Sequence, residues 1–495
     1  MARSRRTGPV WSKRAGGGEP SPRMLAYCAG RDVAGRPPAD LALVPHDLWV
    51  NRAHCAMLAR RRIIDEPTRA AIAGALDAIE QRWAEGRFRL DPALEDVHMN
   101  IERAVAALAG EAAAGVMHTA RSRNDQAATG ARLWLREALL GRIEAVAELA
   151  RRLGRFARRH RATVAPGWTH GQPAMPTTLG HWAAAHGFAL ARDAEALESL
   201  WPALNLCPLG AAAGFGTSWP IDRAMTARLL GFDGPIDNSL DAISTRWEPE
   251  ARAAAALTVL MTHLSSLGQD LIYLSTPPRL GLRLGDAHVT GSSIMPNKRN
   301  PDFAEVTRAR AQGAASLAGA LATVGRGLLS GYNRDTQWAK YWIMDAFEEV
   351  GEAPEVFSEV VAGLKVDKVE LARAAADGFA PAADLADRIA GQQGIPFRRA
   401  YHLVAEAVAR DEAAGWITPA TLNELLAREG LAPMSAGEVA GAGDPAEALE
   451  RRGSLGGPAP DQVRVQADRL EGRAREFAAR SARRRRALSA ARRRS

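Results

Sequence analysis

LREALLGRIEAVAELARRLGRF, residues 135–156, decides the fold class. Leu135, Leu139, Ile143, Val146, Leu149, Leu153 and Phe156 recur at spacings of three and four, which is one apolar stripe of a long helix. Gly130 and Gly141 weaken propensity locally, yet the stripe continues past both. Comparable Ala- and Leu-rich runs cover about 178–201, 248–276, 302–329 and 340–364. Five long helices with few β-branched runs predict an all-α chain built on an extended helical bundle. Shorter helices are expected over 47–115 and again over 372–430, with Gly394-Ile395-Pro396 as a break. Residues 434–460 are Gly/Pro-rich, and helix resumes over 461–479. The long helices carry apolar residues on more than one face, so self-association is expected.

Composition narrows the class. The chain has 495 residues, 47% hydrophobic and 24% charged, as in ordinary globular proteins. No apolar run reaches the length of a membrane-spanning helix. The first 23 residues are basic without an apolar core, which reads as a disordered extension rather than a secretory signal. Cys28, Cys55 and Cys207 are odd in number and widely spaced, giving no disulfide framework and no metal knuckle, and fitting a cytoplasmic protein. The net charge of +8 is matched by eight arginines among the last sixteen residues, so the rest of the chain is neutral. An Arg-rich tail over 480–495 without interleaved aromatics is expected to be solvated, and nucleic-acid binding is not expected.

Four polar segments interrupt the helical pattern. Gly291-Ser292-Ser293-Ile294-Met295-Pro296-Asn297-Lys298-Arg299-Asn300 places hydroxyls, a cation and an amide on a Gly-led loop before a helix. His118-Thr119-Ala120-Arg121-Ser122-Arg123-Asn124-Asp125-Gln126 sets Ser122, Arg123 and Asn124 at a helix start, where they suit carboxylate recognition. Trp168-Thr169-His170-Gly171-Gln172 puts a histidine in a Gly/Pro-rich connector between helices. Tyr332, Gln337 and Lys340 are spaced to converge on one side of a turn entering a helix. Each alone also reads as a polar turn or cap.

Together these segments, with Glu95-Asp96-Val97-His98-Met99-Asn100-Ile101-Glu102, Pro208-Leu209-Gly210 and Asn238-Ser239-Leu240-Asp241-Ala242, resemble the argininosuccinate lyase branch of the fumarase/aspartase superfamily over about residues 44–470. The resemblance implies a three-domain fold with a central long-helix bundle, forming a 20-helix core in a homotetramer whose active sites are shared among three subunits. The expected boundaries are 1–23, 24–116, 117–371, 372–479 and 480–495. It also implies release of fumarate from an N-substituted aspartate, with argininosuccinate the leading small-molecule substrate and no cofactor or metal. A paralogue acting on a different amine, such as a diamine disuccinate, and a non-catalytic relative like the lens δ-crystallins are the alternatives. By resemblance, Ser292 is the general base, His170 assists protonation of the leaving nitrogen, Glu305 pairs with His170, and Lys298 and Asn300 stabilise the aci-carboxylate. Ser122, Arg123, Asn124 and Thr169 match succinyl contacts, while Tyr332, Gln337 and Lys340, with Asn51, match contacts to the amine half. Departures at Asn51, Ala120, Met175, Trp247 and Trp338 leave the proton-transfer residues in place, and several border the pocket for that amine.

Overall fold

The computed structural model describes Ser21, Arg23, Met24, Tyr27, residues 38–277 and residues 281–494. The basic extension and Cys28 lie outside the described residues, apart from Ser21 and Arg23. Four helices come first: α1 (Ala39–Arg60), α2 (Glu66–Ala84), α3 (Val97–Ala109) and α4 (Glu111–Met117). Asp65 and Asp96 cap α2 and α3 by accepting the N–H of Thr68 and Met99. Leu48, Leu58, Ile72, Leu76, Ile79, Ile101 and Val105 close a core among them.

The predicted stripe is part of α5 (Arg123–Arg159), 37 residues long, and every member of it is buried. A hairpin follows, β1 (Val164–Thr169) against β2 (Gln172–Thr178), then α6 (Leu179–Ser199). After several short elements come α7 (Glu248–Ser275) and α8 (Asp302–Thr323). The run expected as one helix over 340–364 is two, α9 (Ala339–Val350) and α10 (Ala353–Gly363). The chain turns at Gly351, whose φ of +50° ends α9. The connector expected around His170 is likewise a hairpin, the longest of three two-stranded pairings among the described residues. Beyond the long helices, α11 (Ala382–Gln393), α12 (Phe397–Arg410) and α13 (Pro419–Arg428) form a separate core around Ile389, Leu403, Leu422 and Leu425. Two short helices occupy the Gly/Pro-rich stretch at 436–451, and α14 (Pro460–Arg492) follows.

The expected tail is corrected. Helix α14 runs unbroken through Arg492, and Val463, Ala467, Leu470, Phe477 and Leu488 are buried in the same core as α5–α10. Residues 460–492 therefore belong to the long-helix core, not to a C-terminal domain and a solvated tail. Gly187 permits this docking, since a Cβ there would meet Leu470 Cδ1 at 2.8 Å. Four of the eight arginines pair internally: Arg480 and Arg484 with Glu198, Arg485 with Glu144, and Arg492 with Glu80. Charge density alone suggested solvation, but the carboxylates that neutralise it sit on distant helices. Among the described residues no helix is long and apolar enough to cross a membrane.

Candidate active site

The N-terminus of α5 is built by its own sequence. Ser122 caps the helix, its Oγ accepting the Asn124 N–H at 3.2 Å, while its own N–H donates to Asp125 Oδ1 at 3.0 Å. Asp125 Oδ2 also accepts the N–H groups of Gly210 and Ala212 at 2.9 and 2.8 Å. Burial pushes the Asp125 carboxyl up to about 6, against the pull of those three N–H groups. The carboxylate thus ties the Pro208-Leu209-Gly210 loop to the start of α5, a role beyond the helix-start acid that the sequence suggested.

Above this cap lies a cavity of about 210 Å³. Arg123, Asn124, Tyr332, Gln337 and Lys340 all line it, so these five expected residues converge, joined by Glu95, Asp96, His98, Arg246 and Arg334. The Tyr332 hydroxyl donates to Gln337 Oε1 at 3.3 Å, and Lys340 is ion-paired with Asp40. Arg123 lies 3.5 and 3.4 Å from Glu95 and Asp96, and Arg334 pairs with Glu95 at 2.9 Å.

Asn51 is a correction. It is fully buried, its amide donating to the Asp47 carbonyl and carboxylate at 2.9 and 3.0 Å and accepting from Arg121 at 2.5 Å. With both ends occupied it braces Arg121 beneath the cap and offers nothing to a substrate. Asp47 also takes bonds from His98 at 2.8 Å and Gln126 at 2.7 Å. Burial raises the Asp47 carboxyl, but His98, Arg121 and Gln126 outweigh it and hold the group below its usual range.

The other expected residues stand elsewhere. Thr169 and Gln172 close the hairpin, and His170 and Gly171 between them have φ of +55° and +71°, as a type I′ turn requires. A histidine tolerates that region better than most side chains, which lets the turn present the imidazole outward. Tyr273 from the end of α7 holds the turn by donating to the Gly171 carbonyl at 3.1 Å. Thr169 and His170 are exposed.

The Gly-led loop is pinned at both ends rather than free. Thr290 and Asn300 exchange backbone bonds at 3.0 and 2.8 Å, and Asn300 Nδ2 donates to the Gly291 carbonyl at 3.2 Å. Ser292 Oγ accepts the N–H groups of Ile294 and Met295 at 3.2 and 3.0 Å. Lys298 is exposed on this loop and Glu305 is exposed on the first turn of α8. Among the described residues no hydrogen bond or ion pair joins the cavity, the hairpin tip and this loop. One chain therefore presents the expected residues at three separate places. Among the described residues there is no cluster of three His, Cys, Asp or Glu able to hold a metal ion.

Comparison with known proteins bears on these parts. Residues 45–314 match a family model described as lyase, and residues 379–448 match one described as argininosuccinate lyase C-terminal. The chain is 41% identical over 435 residues to an argininosuccinate lyase of Thermus thermophilus, covering 87% of this chain and 92% of that protein. Its structure resembles that of an EDDS lyase in complex with formate, with a TM-score of 0.88, 29% identity, and 98% and 97% of the two chains covered. A class II fumarase from Schistosoma mansoni shares the fold, with a TM-score of 0.69 at 15% identity over 89% and 96% of the chains.

Proposed function

The chain belongs to the argininosuccinate lyase branch of the fumarase/aspartase superfamily and is a carbon–nitrogen lyase, and from that premise we propose that it cleaves argininosuccinate to arginine and fumarate. Ser292 removes the proton beside the carboxylate that becomes part of fumarate. A serine hydroxyl is a poor base unless its anion is stabilised. The observation that carries this reading is the pair of N–H groups on Ser292 Oγ, from Ile294 and Met295, which favour the charged form. Lys298 adds a cation on the same loop, and with Asn300 it stabilises the dianion that follows proton loss. His170 delivers a proton to the departing nitrogen, with Glu305 supporting its charged form. Ser122, Arg123, Asn124 and Thr169 take the succinyl carboxylates, while Tyr332, Gln337 and Lys340 face the amine half.

His170, Lys298 and Glu305 are exposed in one chain, and water would screen all of their charges. We infer that the site is assembled in a homotetramer, where neighbouring copies bring the hairpin, the Gly291 loop and the α5 cavity together and exclude solvent. The assignment places the enzyme in arginine biosynthesis in the cytoplasm, in keeping with the free, buried thiols of Cys55 and Cys207. Ultraviolet detection of fumarate released from argininosuccinate tests the substrate. The likeness to an EDDS lyase favours one second reading, a lyase for another amine. Reverse addition of a panel of amines to fumarate separates the two, and turnover of some other adduct with none of argininosuccinate overturns the first.

A further inference from the structure

Four cations line the α5 cavity, and three of them already have carboxylates. Lys340 has Asp40, Arg123 lies between Glu95 and Asp96, and Arg334 has Glu95. Arg246 forms no ion pair or hydrogen bond with any described residue, although it lines the same cavity and is half-buried. Its guanidinium stands 5.5 Å over the Tyr332 ring. The segment is held from behind: Trp247 packs so closely on Gly325 that a Cβ there would meet the indole at 2.2 Å. Ser244 Oγ accepts the Gly331 N–H at 2.8 Å, which fixes the Tyr332 segment beside Arg246. A half-buried, held guanidinium with no carboxylate in contact, attracted only from behind by the buried Glu250, is a poor structural element and a good anion receptor.

The surroundings specify which anion. Glu95 and Asp96 also line an adjoining cavity of about 620 Å³, walled by Asp40, Asp91, Asp345 and Glu348 as well. The cavity that Arg246 lines thus shares the Glu95 and Asp96 carboxylates with an acidic cavity beside it, and cation and carboxylates together give the charge pattern of an α-amino acid head group reversed. We propose that Arg246 anchors the α-carboxylate of the amine half, with the α-ammonium turned to the Glu95–Asp96 edge. Arg246 is then the residue by which this lyase prefers adducts of α-amino acids to adducts of simple amines or diamines. This rests on the lyase reading above and adds the selecting group.

The experiment uses the full-length protein, with L-arginine and agmatine, the same molecule lacking its carboxylate, as probes in calorimetry. Wild type binds arginine in preference to agmatine. Arg246→Gln weakens arginine about ten- to a hundredfold, as expected for a lost charge-assisted pair, and leaves agmatine unchanged. Arg246→Lys restores part of the loss, keeping the charge without the fork, and guards against a folding artefact in the Gln variant. Equal arginine binding by wild type and Arg246→Gln, or equal weakening of both probes, overturns the proposal. Reverse addition to fumarate separates this from the substrate reading. A wild type that ignores argininosuccinate but adds other α-amino acids in preference to their decarboxylated amines retains the role of Arg246 and removes arginine. A wild type without that preference removes the role itself.

Discussion

The cavity at the start of α5 and the loops proposed to carry the chemistry are built on opposite principles. The cavity is finished within one chain: a capping box, a buried aspartate bonded to three N–H groups, and cations set against carboxylates. The hairpin tip at His170 and the loop at Ser292 are shaped just as firmly in their backbones, yet their side chains face outward. On the proposed roles, recognition is thus preformed, whereas proton transfer is pre-shaped but incomplete. On the proposed assembly these loops meet another copy and cannot bury their polar groups beforehand, so shape is set by turns and backbone bonds instead of by packing.

Removing the base should separate the two halves most sharply. Ser292→Ala is expected to lower kcat about 10³-fold or more while leaving arginine affinity near that of wild type. Steady-state fumarate release and calorimetry on the same preparation read the two quantities. A parallel loss of arginine binding would break the division between preformed pocket and chemical loop.

Next in size is damage to the pocket wall. Asp125→Ala strands the N–H groups of Ser122, Gly210 and Ala212 inside the fold, at about 2–4 kcal/mol of stability. Denaturant unfolding should show that loss, together with a raised KM because Arg123 and Asn124 leave their places. Stability unchanged to within about 0.5 kcal/mol would mean that the wall is not braced from Asp125.

His170→Asn probes the hairpin with the turn preserved, because asparagine also accepts positive φ. The expected result is a fall in kcat of about a hundredfold, with the melting temperature unmoved. On the proposal that the hairpin serves a site completed by other copies, mixing subunits of His170→Asn and Ser292→Ala should regenerate activity that neither shows alone. No recovery after co-refolding would contradict the shared site.

Much of this was legible beforehand. The stripe from Leu135 to Phe156 specified a long buried helix because helical period and burial are written in the same residues. The residues grouped by resemblance at Arg123, Asn124, Tyr332, Gln337 and Lys340 do converge. What failed was whatever depends on partners far away in the chain. Eight terminal arginines suggested a solvated tail because Glu198, Glu144 and Glu80, which receive four of them, lie hundreds of residues earlier. Asn51 looked like a substrate contact because nothing local reveals that Arg121, far along the chain, occupies its carbonyl oxygen. Arg246 was not singled out, only its neighbour Trp247 as a departure from the family pattern, and only the pairing of its three neighbouring cations gives it significance.

The smallest effect concerns Glu250, buried behind Arg246 and facing Arg132 and Arg246. Burial pushes its carboxyl from 4.5 up to about 7, and its Oε2 has no hydrogen-bond partner. Between those two values the folded protein keeps a proton that the unfolded chain has released, so stability is fully present below about pH 4.5 and is lost as pH rises through 7. Glu250→Gln removes that loss. It should leave unfolding unchanged at pH 4.5 and raise stability by about 1 kcal/mol at pH 8, the gain being limited because Arg132 and Arg246 give up an attractive neighbour. Thermal unfolding at the two pH values checks this. A gain of the same size at both would assign it to packing, whereas a loss at pH 8 would mean that Glu250 is charged and paired in the native state. The latter would place a counter-ion on Arg246 and bring even the preformed cavity under the control of a buried carboxylate.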